Sequence, residues 1–244
     1  METEIKIKEK IEDDIPAKIR LNKAFVNYNK IIEKKLPYKY SYLDEWILKK
    51  SKLLLQETNL LDKSKSKNKY RVYNRGTIIK ADFGVSLGSE MSQVHFAIVL
   101  NNYDNPKNNI LTVIPLTSKA SKFNLDLQDL IISKLTSKIK NELLKLGITE
   151  ELNKNTFNNY KKEAKVKKLY TLLSYYKSNF KNTYACCSLI TTISKTRVFP
   201  PINEYDIVGR EKCSDEIMNK IDREIIDKFT KKIWQKQKYN VYYN

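Results

Sequence analysis

"RGTIIKADFGVSLGSEMSQVHFAIVLNN", residues 75–102, holds the chain's one histidine, His95, and three of its five glycines, Gly76, Gly84 and Gly88. Two short runs rich in β-branched and aromatic residues flank the glycine stretch. Bounded by Gly and Asn, such runs predict strands joined by a turning loop. "NNYDNPKNN" (101–109) reads as a second loop and "ILTVIPLTSK" (110–119) as a third strand. That third run is apolar enough for burial on both faces, and Pro115 predicts a strand end or a bulge. No helical pattern separates these strands. The order therefore predicts an antiparallel sheet or small barrel, not a parallel doubly wound sheet.

Outward from this core the texture is helical. Residues 1–68 predict an N-terminal arm. In it Ile19, Ala24, Val26, Tyr28, Ile31 and Ile32 precede Pro37, and Leu43, Trp46, Ile47, Leu54 and Leu61 follow it. Their spacing suits amphipathic helices. "DKSKSKNK" (62–69) has no apolar anchor and reads as a linker. On the far side, residues 125–180 predict a helical insertion. Leu127, Ile131, Leu135, Ile139 and Leu143 recur every four residues, and Gly147 serves as a cap. "TYACCSLITTISKTRVF" (183–199) returns to strand texture, and residues 214–236 predict a closing helix with a stripe of Ile217, Ile221, Ile225 and Phe229. The fold class expected is α+β: an arm at 1–68, then a small-barrel domain at 70–244 interrupted at 125–180.

Composition bounds the function. Forty-six basic residues against 28 acidic leave a net charge of +18. Such a charge favours a polyanion such as nucleic acid, although lysine-rich, asparagine-rich chains also arise from AT-rich genomes. No apolar run approaches the ~20 residues of a membrane span. The opening "METEIKIKEKIEDDIP" has no apolar signal segment, so the cytoplasm is the expected compartment. Three cysteines, two of them adjacent at Cys186 and Cys187, give neither a disulfide framework nor zinc spacing. They read as buried thiols. There is no GxxxxGK[ST], no GxGxxG and no HExxH. No cofactor and no metal is expected.

Four blocks carry a resemblance: "RGTIIKADFGVSLGSE" (75–90), "HFAIVLNN" (95–102), "LTVIPLTSK" (111–119) and "TTISKTRV" (191–198). In this order they resemble the PemK/MazF toxin family over about residues 70–123 and 184–232. The resemblance implies an SH3-like antiparallel barrel, usually a homodimer. It implies a metal-independent endoribonuclease that cuts single-stranded RNA through the ribose 2′-hydroxyl, leaving a 2′,3′-cyclic phosphate and a 5′-hydroxyl. An antitoxin protein is the implied partner. After "GSE" the family usually carries Gln-Gly-Gly-x-Arg-Pro with a catalytic arginine. This chain has His95 in the arginine's place and Phe96 in that of the proline. The catalytic Thr/Ser of the family matches Thr117, with Ser118 and Lys119 beside it. Arg75 and Arg197 match the basic residues of the first and late strands.

Imidazole titrates near neutrality, so His95 in that place suits general acid–base chemistry; the bland alternative is a half-buried strand residue packed beside Phe96. Ser118, Lys119, Arg75 and Arg197 are the candidates for RNA phosphate, the two arginines equally for surface ion pairs. Gly84, Gly88, Ser89 and Glu90 are expected to shape the loop. A non-catalytic module of the same fold, binding nucleic acid or a protein, stands beside the enzyme reading. The arm reads as packing, a dimerisation element or a fused partner-like segment.

Overall fold

The computed structural model describes residues 16–62, 69–179 and 182–230. Residues 1–15, most of the linker and the end of the expected closing helix lie outside the described residues. The chain divides into two units: one is the arm together with residues 84–88, the other is the rest.

The arm is two helices, α1 (Ala17–Glu33) and α2 (Leu43–Asp62), joined through a 3-10 turn at Tyr38–Tyr42. The break follows Pro37, as the sequence predicts. The same unit takes in residues 84–88. Lys39 Nζ donates to the carbonyl oxygens of Ser86 at 2.8 Å and Gly88 at 2.7 Å. Trp46 lies against Gly84. A Cβ there would meet the indole at 2.3 Å, and the backbone has φ +74°, so glycine is required twice over.

The second unit is built on six antiparallel strands: β1 (Ile78–Asp82), β2 (Val94–Val99), β3 (Ile110–Thr117), β4 (Leu125–Asp126), β5 (Tyr184–Ala185) and β6 (Thr191–Ser194). Their order is β1-β2-β3-β5-β4, with β6 also pairing β3. The sheet is not closed; of the expected α+β small-barrel fold, the mixed α/β architecture and the antiparallel pairing are present. Beyond β6 the chain returns to the β1 edge at two isolated bridges, Ala81↔Val198 and Thr77↔Lys212, and by backbone bonds from Phe199 N–H to Lys80 O at 2.8 Å, from Gly209 N–H to Ile78 O at 2.7 Å and from Ile78 N–H to Glu211 O at 3.0 Å. Neither bridge extends into a ladder.

Alternation explains the apolar strand texture. Ile78, Phe96, Ile98, Ile114 and Leu116 join a core with the helices, while Ile79, Ala81, Ala97, Val99, Leu111 and Val113 fill a second core on the other face. Each large apolar side chain so buried contributes about 1.5–3 kcal/mol. Pro115 neither ends β3 nor bulges it. On one edge of β3, pairing with β6 stops at Val113↔Thr191 and pairing with β5 starts at Leu116↔Ala185. The residue without an N–H sits where one neighbour leaves and the next arrives.

The insertion is suspended from the sheet. Its first residues pair with β5 (Leu125↔Ala185, Asp126↔Tyr184), so the helix expected from 125 starts only at Leu130. Helix α3 (Leu130–Leu144) buries Leu130, Ile131, Leu135, Ile139 and Leu143, the stripe that the spacing predicts from Ile131 onward. Gly147 ends it at φ +73°, with Ile148 N–H bonded to Leu143 O at 3.1 Å. The next helical stretch is two helices, α4 (Lys154–Asn159) and α5 (Ala164–Asn179). Closing helix α6 (Asp215–Phe229) is capped by Ser214 and carries Asp215 and Glu216 in its first turn. Of its expected stripe, Ile221 is buried and Phe229 is exposed. All three cysteines are buried and free. Burial pushes Cys186 and Cys187 up to about 11 and Cys213 up to about 12, so these thiols are inert at neutral pH.

Candidate active site

His95 is the second residue of β2. Just before the strand, Gln93 holds a positive φ of 69°, and its carbonyl accepts from Phe83 N–H at 2.8 Å. The loop is thus tied to the end of β1 where β2 begins. The β2–β3 register runs Val99↔Val113, Ile98↔Ile114, Ala97↔Pro115. Carried two residues further, it sets His95 across from Thr117. The Leu100 N–H to Thr112 O bond fixes the alternation and makes His95/Thr117 a non-hydrogen-bonded pairing position, where cross-strand side chains stand closest. The ladder does not continue that far. Instead the His95 ring takes over, with Nδ1 3.1 Å from Leu116 O.

A cleft of about 140 Å³ opens there. Val94, His95 and Phe96 of β2 form one wall, Leu116 to Ser118 at the end of β3 another. Ile131 of α3 with Asn182 and Thr183 at the insertion's exit completes it. Pockets for whole small molecules run from about 300 Å³ upward. This one accommodates a reacting group, not a nucleotide, and that suits a polymer whose remaining parts lie outside.

The ring is half-buried and stands edge-on to Phe83, with centroids 6.4 Å apart. Burial pulls the His95 pKa below its ordinary 6.5. Backbone hydrogen bonds at Leu116 and Ser92 push the other way, and the Lys119 charge adds to the lowering. The net direction makes the imidazole neutral at pH 7. Because Leu116 O can only accept, Nδ1 carries the ring proton in that form, and the other nitrogen keeps its lone pair. Thr117 Oγ1 accepts from Lys119 N–H at 3.2 Å, which folds the chain back after β3. Ser118 and Lys119 are exposed.

The structure therefore brings His95, Thr117 and Ser118 to one cleft, with Lys119 next in the chain and close enough to act on the His95 charge. It engages the two arginines elsewhere. Arg75 bonds Asp222 of α6 and the Leu100 carbonyl. Arg197 Nε donates to Asp82 O at 2.6 Å. Neither lines the cleft. Gly88 takes φ +51° with open space around it; Ser89 and Glu90 follow it as exposed loop residues. The Leu116 carbonyl and the wall made by Ile131, Asn182 and Thr183 escape the sequence reading. A carbonyl has no sequence signature, and the insertion lay outside the matched motifs.

No curated protein resembles the chain closely enough to count as a relative. Residues 74–174 match a family described as PemK-like, MazF-like toxin of type II toxin–antitoxin system. The matched span holds β1 to β4, α3, α4 and most of α5, so it runs through helices where the motifs gave no resemblance. It stops before the late block at 184–232. The match covers one segment of the chain, residues 74–174, and agrees there with the resemblance carried by the motifs; members of that family are generally endoribonucleases.

Proposed function

We propose that the protein is an endoribonuclease that cuts single-stranded RNA through its own 2′-hydroxyl. The observation that carries this reading is the shared cleft of His95, Thr117 and Ser118. Neutral His95 takes the 2′ proton through the nitrogen that Leu116 does not hold. The 2′-oxygen bonds to phosphorus, and the bond from phosphorus to the 5′-oxygen breaks. That oxygen leaves with a proton from water, and the products are a 2′,3′-cyclic phosphate and a 5′-hydroxyl. The hydroxyls of Thr117 and Ser118, with the Lys119 ammonium, stabilise the phosphorane charge. RNA as substrate fits the net charge of +18 and the cytoplasm as its place of action. Among the described residues no helix is long and apolar enough to cross a membrane. A type II toxin works against an antitoxin protein, and a homodimer belongs to the same reading.

The test is cleavage of an unstructured RNA oligonucleotide, measured as kcat/KM against pH. A base whose pKa is lowered by burial loses its function only below that value. The expected profile is flat through pH 7 and falls on an acid limb whose midpoint lies below about 6.5. A rate that falls as pH rises from 5 to 7 would assign the chemistry to a protonated ring and overturn the proposed role. Salt-sensitive RNA binding without scission would replace the enzyme by the binding module.

A further inference from the structure

Thr183 is the most deeply buried polar residue of the cleft, at 3% exposure. Both of its backbone groups are bonded to the residues after β4: Thr183 N–H donates to Gln128 O at 2.6 Å, and Thr183 O accepts from Leu127 N–H at 2.9 Å. Its hydroxyl makes no hydrogen bond to any described residue. Buried hydroxyls are nearly always paired, and an exception calls for a reason. This one is not sealed in the core, since no sealed side-chain oxygen or nitrogen among the described residues lacks a partner. It opens where Thr183 meets the cleft.

The register sets a second hydroxyl against it. Strands β3 and β5 pair as Leu116↔Ala185 and Thr117↔Tyr184, so one residue further Ser118 stands across from Thr183. The bond from Cys186 N–H to Pro115 O makes that a non-hydrogen-bonded position, where facing side chains stand closest. The Ser118 hydroxyl also has no partner among the described residues. Two neighbouring hydroxyls thus line one cleft of about 140 Å³ beside His95 and Thr117, and the Lys119 charge acts on the same place. Donors without acceptors, under a positive charge, in a space too small for a nucleotide, suit the oxygens of a phosphate group.

We propose that Thr183 is a phosphate-binding residue: with Ser118 it donates to a non-bridging oxygen of the scissile phosphodiester and stabilises the charge that grows there as the 2′-oxygen attacks. Thr183 lies where the insertion rejoins the sheet, outside the matched residues 74–174. The role in the reaction rests on the RNA-cleavage reading; the anion site does not.

The test is Thr183→Val, which removes the hydroxyl, beside Thr183→Ser, which keeps it. Cleavage of an RNA oligonucleotide by the valine variant is expected to fall by about 10²–10³-fold in kcat, with a smaller change in KM, and the serine variant to retain most of the rate. The hydroxyl has no partner to lose, so the unfolding midpoint of the valine variant should not fall. A lower midpoint, or an unchanged rate, overturns the assignment. A second readout needs no cleavage. His95 is the chain's one histidine, so its ring signals in a proton NMR spectrum report on this cleft alone. Inorganic phosphate, titrated at constant ionic strength, is expected to shift them saturably in the parent and about tenfold more weakly in Thr183→Val. Phosphate binding of this kind in a parent that cuts no RNA would remove the cleavage reading and keep the anion site. Ring signals that phosphate leaves unmoved, or moves alike in both proteins, overturn the site.

Discussion

Replacing His95 by alanine is expected to lower the turnover of single-stranded RNA by about 10²–10⁴-fold, the range of one positioned proton transfer. The effect should fall on kcat more than on KM, because the ring is proposed to act on the 2′ proton and not to bind phosphate. Folding is expected to survive. The ring is half-buried, and its hydrogen bonds to the Leu116 and Ser92 backbone are each worth about 0.5–1.5 kcal/mol. Two companions separate the roles. Thr117→Ser keeps a hydroxyl and should retain most activity, whereas Thr117→Ala should lose a large part of it. His95→Arg places the family's residue in the cleft. A guanidinium cannot act as a base at pH 7, so this variant should also be slow if the imidazole is the base here. Single-turnover kinetics on an RNA oligonucleotide checks all four. Undiminished cutting by His95→Ala would remove the ring from the mechanism.

The largest effect on stability is expected at Asp104. Its carboxylate lies in the loop between β2 and β3 and accepts Lys195 Nζ at 2.8 and 2.7 Å, Tyr73 N–H at 2.8 Å and the Asn108 amide at 2.9 Å. The Lys195 and Asp104 side chains are 3% and 0% exposed. Three separate segments meet on this one group: the entry to β1, the β2–β3 loop and the turn after β6. Asp104→Ala leaves an ammonium buried without its counter-ion, which costs about 3–5 kcal/mol. The double variant Asp104→Leu with Lys195→Met should cost less than that single change, because no charge is then left buried. Urea unfolding of the three proteins decides it, and an Asp104→Ala midpoint equal to the parent's would contradict the account. Burial pushes the Asp104 carboxyl up, but Lys195, the Tyr73 N–H and the Asn108 amide outweigh it and hold it below 3.8. A depressed carboxyl contributes stability that is whole above the unfolded value. That contribution drains as pH falls from about 3.8 through the folded value.

The strands of the sheet were legible because their side chains face two cores. Burial on both faces writes continuous apolar runs such as 95–100 and 111–116, and the helices write stripes such as Ile131 to Leu143. The open sheet was not legible. Whether a strand edge closes depends on where residues 198–199 and 209–213 meet β1, and no pattern within those segments encodes the meeting. Pro115 was read as a strand end because a proline's missing N–H predicts a break; the sheet instead places it at a change of partner. At the site, motif order pointed to Thr117 and His95, and the β2–β3 register sets these two positions across from one another. Asp104 and Lys195 were missed. A buried ion pair joins residues far apart in sequence, and each of them alone reads as a loop or surface charge.

The chemistry of the cut ends tests the central claim most directly. A defined single-stranded RNA is incubated with the protein in excess EDTA, and the fragments are examined at both termini. The account predicts 2′,3′-cyclic phosphates on the upstream fragments and 5′-hydroxyls on the downstream ones, the latter labelled by a polynucleotide kinase without prior dephosphorylation. Fragments with 5′-phosphates and free 3′-hydroxyls would mean that water, not the ribose, attacks phosphorus, and would contradict the assignment of the cleft.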